Sequence, residues 1–359
     1  MRRLGLAHVI LAVTVGGCSF GGDSAGTEGS DESAAGEEDG PMTTAPATTA
    51  PVDTGDDGNS ADGTSSGGQA DETGQGTSGD PDDGSDTGDS GDTGEAAGFG
   101  PFGEPVLVPV LNEPGEEDDP TLRADELEIY FDSDRLGGHD IFVARRQSVD
   151  DEFDPPMRDE VLSDDVLDTT PELSEDGLII TLSRSVSGDA DVFIATRESF
   201  DAPWSTPVLA ADLSSPVDDY GAIIVGERVY LCAASARDNG REVWRADVVD
   251  LMSNEFSGLE PVETLNGYGN SCTISLSSDR LEVFLEGDKA EGPEPVFNIY
   301  RSVRPNLAAP WSEPEVVPEL SSRQWDYDPW LSPDGRRMYM ASSRDGDDAI
   351  YMASREPLD

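Results

Sequence analysis

The chain has 359 residues, of which 76 are acidic and 22 basic, giving a formal net charge of −54 at neutral pH. Nucleic-acid phosphates and anionic lipid headgroups repel such a chain, so its composition excludes a protein that binds phosphate backbones. Three cysteines are too few for a disulfide-built scaffold, and there are only two histidines.

The first eighteen residues have the pattern of an export signal. Met1-Arg2-Arg3 is followed by a mostly apolar run over 4–17, shorter than the about 20 residues that a membrane-spanning helix needs. The run ends in Val15-Gly16-Gly17-Cys18, which resembles the lipobox of bacterial lipoproteins, although that family usually has Leu where Val15 stands. The alternative is an ordinary signal peptide followed by an incidental cysteine.

The lipobox resemblance implies that residues 1–17 are a signal peptide and that Cys18 is lipidated after cleavage. Acyl chains contribute about 0.8 kcal/mol per buried methylene, so two or three of them would hold the protein at a membrane. Ser19 stands where some Gram-negative lipoproteins carry an inner-membrane retention Asp. The resemblance therefore predicts an exported protein, lipid-anchored at the cell envelope, on the periplasmic or surface face of the outer membrane.

Residues 18–98 comprise this cysteine and an acidic linker. The segment 19–98 has 20 acidic residues and no Lys or Arg, and is almost entirely Gly, Ser, Thr, Asp, Glu, Ala and Pro. It cannot bury enough apolar surface to offset its ordering entropy, so we expect a disordered tether. Its near-periodic acids do not match the EF-hand spacing and are interpreted as a solvated charge run that attracts calcium only weakly: Asp86, Asp89, Asp92 and Glu95.

From residue 99 onward one phrase recurs five times. The equivalent turn positions are separated by 51, 49, 54 and 55 residues: Asp125, Asp176, Val225, Asp279 and Asp334. Each copy contains short runs rich in Val, Ile, Tyr and Phe between turn residues, which predicts β-strands. A further proline-marked run follows four of the copies, at 161–166, 207–213, 261–265 and 314–320. Four strands per copy is the content of one propeller blade.

The clearest copy, Leu331-Ser332-Pro333-Asp334-Gly335 with Ser343-Arg344-Asp345-Gly346 and Ile350-Tyr351, resembles the TolB-type WD40-like propeller repeat. The resemblance implies antiparallel blades around a central channel, often in periplasmic or surface proteins that bind other molecules. We therefore predict an all-β fold in which 99–359 is a single five-bladed β-propeller of four-stranded antiparallel blades, preceded by the disordered tether.

The ends of this ring are predicted to join through an N-terminal strand. The last copy has no fourth strand of its own, whereas the run 104–111 resembles a fourth strand that has no preceding blade. Pairing this run with 350–354 would close the last blade and remove an exposed sheet edge.

The histidines and cysteines give no support for catalysis. His139, the one histidine outside the signal peptide, is interpreted as a turn residue in the outer part of a blade. No Cys/His set has zinc spacing, and no Gly-rich phosphate loop precedes a helix, so we predict no metal site, no catalytic residue and no cofactor. Cys232 and Cys272 fall in neighbouring blades three and four, and either form a disulfide or stay as two buried thiols.

The carboxylates near the starts of the inner strands leave three interpretations open. They could be catalytic, because several five-bladed propellers are glycoside hydrolases with acids in the funnel and Asp119-Pro120 has that form. They could form a negative funnel for a cation or a basic peptide, with nearby aromatic side chains adding cation–π contacts. They could also merely cap strand ends, while Trp330 packs between blades. The candidate funnel residues are Asp119, Asp168, Asp219, Tyr220, Tyr327, Asp328 and Trp330.

The hydrolase interpretation is the weaker one, because Asp328-Pro329 shows that Asp-Pro is part of the repeat itself. We therefore predict a non-enzymatic binding or scaffold module for a protein, peptide or glycan partner, with no nucleic-acid binding. The alternative is a five-bladed glycoside hydrolase that uses funnel carboxylates.

Overall fold

The structure, a computed structural model, describes residues 98–186, 188–234, 240–289 and 296–358. The predicted signal peptide, the Cys18 anchor and the tether up to residue 97 lie outside these ranges. Within them, no helix is long and apolar enough to cross a membrane.

Five four-stranded antiparallel sheets form the blades of a β-propeller, as predicted. The innermost strands, in blade order, are β2 (Glu117–Leu122), β6 (Asp168–Leu173), β10 (Asp219–Val225), β14 (Ile274–Leu276) and β18 (Asp326–Leu331). The second strands are β3 (Glu128–Ser133), β7 (Ile179–Ser185), β11 (Arg228–Ala234), β15 (Glu282–Gly287) and β19 (Arg337–Ser342).

The outer half of each blade completes the sheet. The third strands are β4 (Asp140–Arg145), β8 (Ala190–Thr196), β12 (Arg241–Asp250), β16 (Asn298–Val303) and β20 (Ala349–Ser354). The outermost strands of blades one to four are β5 (Met157–Arg158), β9 (Val208–Leu209), β13 (Glu255–Pro261) and β17 (Glu315–Val316), and that of blade five is β1 (Val106–Leu107).

The turn between the first two strands explains the recurring Ser-x-Asp-Gly phrase. In blade five, the Ser332 hydroxyl donates to Asp334 at 2.6 Å, and the Asp334 carboxylate accepts the backbone N–H of Arg336 at 3.0 Å. Gly335 has a φ of +71°, a conformation that glycine adopts without steric cost. Blade three lacks the phrase and turns more tightly through Gly226, whose φ is +62°.

Two of the proline-marked runs that we predicted to be outermost strands are not strands. Blade one uses Met157–Arg158 instead of 161–166, and blade three uses Glu255–Pro261 instead of 261–265. These runs belong to the loops that lead into the next inner strand. Every such loop carries one leucine that is 0% exposed: Leu111, Leu162, Leu213, Leu265 and Leu320. The repeated apolar signal thus comes from a buried loop leucine.

The N-terminal strand closes the ring, as predicted. Val106 pairs with Met352 and Leu107 with Tyr351, antiparallel to β20. The Asn112 side chain extends the contact, because its carbonyl oxygen accepts the N–H of Ile350 at 2.8 Å. The last blade therefore contains strands from both ends of the folded region.

The hydrophobic core is divided among the five interfaces between neighbouring blades. A large buried cluster lies at each interface, and a smaller one of Phe297, Tyr327 and Ala341 lies between blades four and five. The interface between blades five and one contains Leu111, Leu122, Phe131, Trp330 and Ile350. The seam where the chain ends meet is therefore packed like the other four. The inner strands enclose a channel with two ends, which we call the loop end, where these strands begin, and the turn end, where they finish.

Candidate functional site

A β-bulge near the loop end fixes the positions of the channel carboxylates. Four inner strands shift register at the same point, and the residue there has a positive φ between 48° and 52°: Asp119, Thr170, Gly221 and Asp328. A bulge leaves one residue out of the ladder, so its N–H needs another acceptor.

The preceding blade supplies that acceptor. Asp328 Oδ2 accepts the N–H of Asp119 at 3.2 Å, and Glu286 Oε2 accepts the N–H of Asp328 at 3.1 Å. Asp132 Oδ1 accepts the N–H of Thr170 at 3.1 Å. These carboxylates therefore tie blade four to five, blade five to one and blade one to two through the channel wall.

The carboxylates of the channel wall are buried, which raises the pKa of several of them. Burial and the charge of Asp328 raise the pKa of Glu172 to about 8. The same two causes hold the pKa of Glu286 well above its usual range. Burial raises the pKa of Asp328 to about 6, although hydrogen bonds with Asp119, Glu286 and Thr273 oppose the shift. Glu172, the most exposed of these three, is 8% exposed.

The four predicted aspartates occupy two different positions. Asp119 and Asp328 are bulge residues in the channel wall, but Asp168 and Asp219 are the first residues of their strands. Asp168 accepts from Arg184 Nε at 2.5 Å, and Asp219 accepts the N–H of Ser215 at 2.5 Å. Asp168 and Asp219 therefore fix the loops that lead into their strands and do not join the channel carboxylates.

The predicted aromatic residues are also separated. The Tyr327 hydroxyl donates to Asp118 Oδ1 at 2.6 Å, and the Arg241 guanidinium lies 4.0 Å from the centre of the Tyr220 ring. Trp330 lies at the turn end, 9% exposed, with its ring 6.0 Å from that of Tyr339. The seven predicted funnel residues therefore do not form one site.

Sequence reasoning missed a cluster at the seam between blades five and one. This seam cluster consists of Glu116, Asp118, Asp132, His139 and Asp348. The ligand atoms of Asp118, Asp132 and His139 lie within 4.8 Å of one another, and those of Glu116, Asp118 and Asp348 do so as well. The run of four acids over 116–119 and a histidine directly before a strand were the available signals.

His139 is not the outer turn residue that we predicted. It is 4% exposed, and its Nδ1 lies 2.7 Å from Asp132 Oδ2. Burial alone would lower the pKa of His139, but the hydrogen bond and charge of Asp132, with the charges of Asp134 and Glu116, raise it to about 9. Burial raises the pKa of Asp118 well above its usual range, as do the charges of Asp348, Asp132 and Asp328.

A cavity of about 250 Å³ occupies the turn end, which we call the cup. All five inner strands line it through the aliphatic residues Leu122, Leu173, Ile224, Leu276 and Leu331. Trp330 adds an aromatic wall, and Ser278 and Arg280 stand among the polar lining residues. The inner strands thus give the cup an apolar lining, and the turn after β14 adds polar residues to it.

The two remaining cysteines join blades three and four. Cys232 is in β11, Cys272 precedes β14, and the structure bonds their sulfur atoms with a Cα–Cα distance of 4.8 Å. Disulfides usually have Cα–Cα distances of about 4.4–6.8 Å. Both residues are at most 4% exposed.

No protein-family model matches the chain, and no curated protein is similar to it in sequence. Among solved structures, a thermostable family-43 glycoside hydrolase is similar with a TM-score of 0.50 at 12% identity, over 69% of this chain and 91% of that one. An α-L-arabinofuranosidase from Podospora anserina has a TM-score of 0.48 at 11% identity, over 72% and 97%. TolB from Acinetobacter baumannii has a TM-score of 0.42 at 14% identity, over 69% and 56%.

These structural neighbours include both glycoside hydrolases and TolB proteins. At such low identities the similarity shows the propeller fold alone, because one fold carries many unrelated activities. The residues at the two ends of the channel therefore carry the information about function.

Proposed function

We propose that the propeller is a non-enzymatic binding module of the cell envelope that binds a basic peptide segment of a protein partner, with one apolar side chain in the cup. The cup carries this proposal, because it is a concave apolar site to which every blade contributes. A volume of about 250 Å³ is enough for one large aliphatic or aromatic side chain.

The charge of the chain selects the rest of the partner. A formal net charge of −54 attracts cationic segments and speeds their association, and it repels acidic ones. The preferred segment therefore has Lys or Arg on either side of a Leu, Phe or Trp.

Selection from a random peptide library tests this proposal. We expect enrichment of an apolar residue flanked by basic ones, and loss of binding when Ala124→Trp fills the cup. Ala124 lines the cup and is exposed, so the larger side chain needs no buried space. The control is Ala211→Trp, at an exposed alanine in a loop-end connection. No enrichment, or equal binding by both variants, would reject the proposal.

A glycoside hydrolase is the second candidate, favoured by neighbouring carboxyl groups with separated pKa values. The pKa of Asp328 is about 6 and that of Glu172 about 8, and such a difference can divide acid and base roles. However, Asp119, Glu172 and Asp328 are at most 8% exposed, whereas a sugar must touch the catalytic carboxylates. Turnover of a panel of aryl glycosides that Asp119→Asn abolishes would favour the hydrolase.

We further propose that Cys18 is the lipid anchor and that it holds the protein at the outer membrane. The support is the sequence Val15-Gly16-Gly17-Cys18 after a short apolar run. Cys18→Ala should move the protein from the detergent phase to the aqueous phase in a detergent partition assay. A variant that stays fully membrane-bound would refute the anchor.

A further inference from the structure

The seam cluster contains buried polar atoms that lack a hydrogen-bond partner among the described residues. These atoms are Asp118 Oδ2, His139 Nε2 and Asp348 Oδ1. Asp118 and His139 are 2% and 4% exposed. Leaving a buried polar atom without a partner destabilises a fold, so three such atoms in one cluster point to a bound group.

The other atoms of Asp118 and His139 already have partners, and His139 Nε2 lies 4.0 Å from the Glu116 carboxylate. Asp118 uses Oδ1 to accept from Tyr327, which leaves Oδ2 available. Asp132 accepts the N–H of Thr170 with one oxygen and contacts His139 Nδ1 with the other. Asp132 therefore orients the imidazole, as carboxylates do behind metal-ligating histidines, and leaves Nε2 as the ligand atom.

We propose that the seam cluster binds one divalent transition-metal ion through His139 Nε2 and the carboxylates of Asp118, Asp348 and Glu116. The mixed donor set decides the class of ion, because histidine nitrogen suits Zn²⁺ and carboxylate oxygens suit Mn²⁺, whereas Ca²⁺ and Mg²⁺ prefer oxygen ligands alone. The carboxylates of Glu116, Asp118 and Asp348 supply negative charge that a dication neutralises. The proposal differs from our sequence-based prediction of no metal site.

The position of the site gives the ion a structural role. Glu116 and Asp118 lie at the start of the inner strand of blade one, and His139 precedes its third strand. Asp348 precedes the third strand of blade five, the blade that contains both ends of the folded region. A metal ion there would link the first and last blades at the loop end of the seam.

Metal content and thermal stability of the full mature chain test the proposal. The protein is stripped with a chelator, incubated with Mn²⁺, Zn²⁺ or Ca²⁺, desalted and analysed for metal by mass spectrometry. We expect one equivalent per chain and a rise of roughly 5 °C in the melting temperature at saturating metal. Asp348→Asn and His139→Gln should each lower retention at least tenfold.

The matched control is Asp189→Asn, because Asp189 directly precedes the third strand of blade two, as Asp348 does in blade five. All variants keep the acidic tether, so weak binding there cancels in the comparison. Circular dichroism identifies a variant that has not folded, and Asp118→Asn then serves as the third test, since its amide oxygen can still accept from Tyr327. Equal retention in the folded variants and the control, or loading by Ca²⁺ alone, would overturn the proposal.

Discussion

At the scale of single residues, Glu172 links the channel wall to the pH dependence of stability. Its pKa is raised from 4.5 to about 8, so between these values the folded protein holds a proton that the unfolded chain has lost. Stability must therefore fall as the pH rises through this window, by roughly 1.4 kcal/mol per pH unit where the difference is complete.

Glu172→Gln removes this titration and keeps the size of the side chain. We expect the variant to match the wild type near pH 5 and to melt at a higher temperature at pH 8. Glu175→Gln, at an exposed glutamate in the following turn, controls for the loss of one charge. The same difference in melting temperature at both pH values would show that burial of the Glu172 carboxylate is not the cause.

The pairing of Cys232 and Cys272 is a second prediction at this scale. Their Cα–Cα distance of 4.8 Å suits a disulfide, and an exported protein would meet an oxidising compartment. Thiol labelling of the denatured, unreduced mature protein, in which our proposal has the Cys18 thiol acylated, should therefore find no reactive cysteine, whereas Cys232→Ser should expose one. Two reactive thiols in the wild type would exclude the bridge.

The sequence indicated individual channel residues but not which of them lie together in the structure. It singled out Asp119 and Asp328, because Asp-Pro is visible in the repeat, but the bulge that turns them into the channel is a register shift without a sequence signature of its own. It gave His139 no role, because its neighbours Asp118 and Asp132 lie on other strands of blade one and come close to it only when the blade folds.

At the scale of elements, the repeat predicted the strands better than the loops. Inner and second strands were visible as short apolar runs beside Asp-Gly turns, and β1 was found because the last copy lacked a fourth strand. The runs 161–166 and 261–265 were wrongly predicted as strands, because Leu162 and Leu265 are buried from loops. A short apolar run does not by itself distinguish a loop from an edge strand.

The N-terminal segment that closes the ring, residues 104–112, should be held more by the buried side chains beside β1 than by the two residue pairs between β1 and β20. Leu111 is 0% exposed, whereas Val106 in β1 is 65% exposed. Leu111→Ala should therefore lower the free energy of unfolding by about 2–5 kcal/mol, and Val106→Ala by at most about 0.5 kcal/mol. Equal effects of the two substitutions in denaturant titrations would contradict this division.

At the scale of the whole molecule, five similar interfaces hold a ring whose two channel ends differ. The loop end has buried carboxylates that brace the bulges, whereas the turn end has an apolar cup. The repeat predicted the ring but not this division, because residues from five blades meet at each end and no single copy reveals the set. We propose peptide binding at the turn end because the bulge-bracing carboxylates Asp132, Glu286 and Asp328 already accept backbone N–H groups.

Hydrogen exchange with a selected basic peptide bound tests this assignment most directly. Peptide binding in the cup should slow exchange in the turns around 123–127, 174–178, 277–281 and 332–336, and should leave the loop-end connections 159–167 and 210–218 unchanged. Protection of the loop-end connections, or of neither end, would contradict binding in the cup.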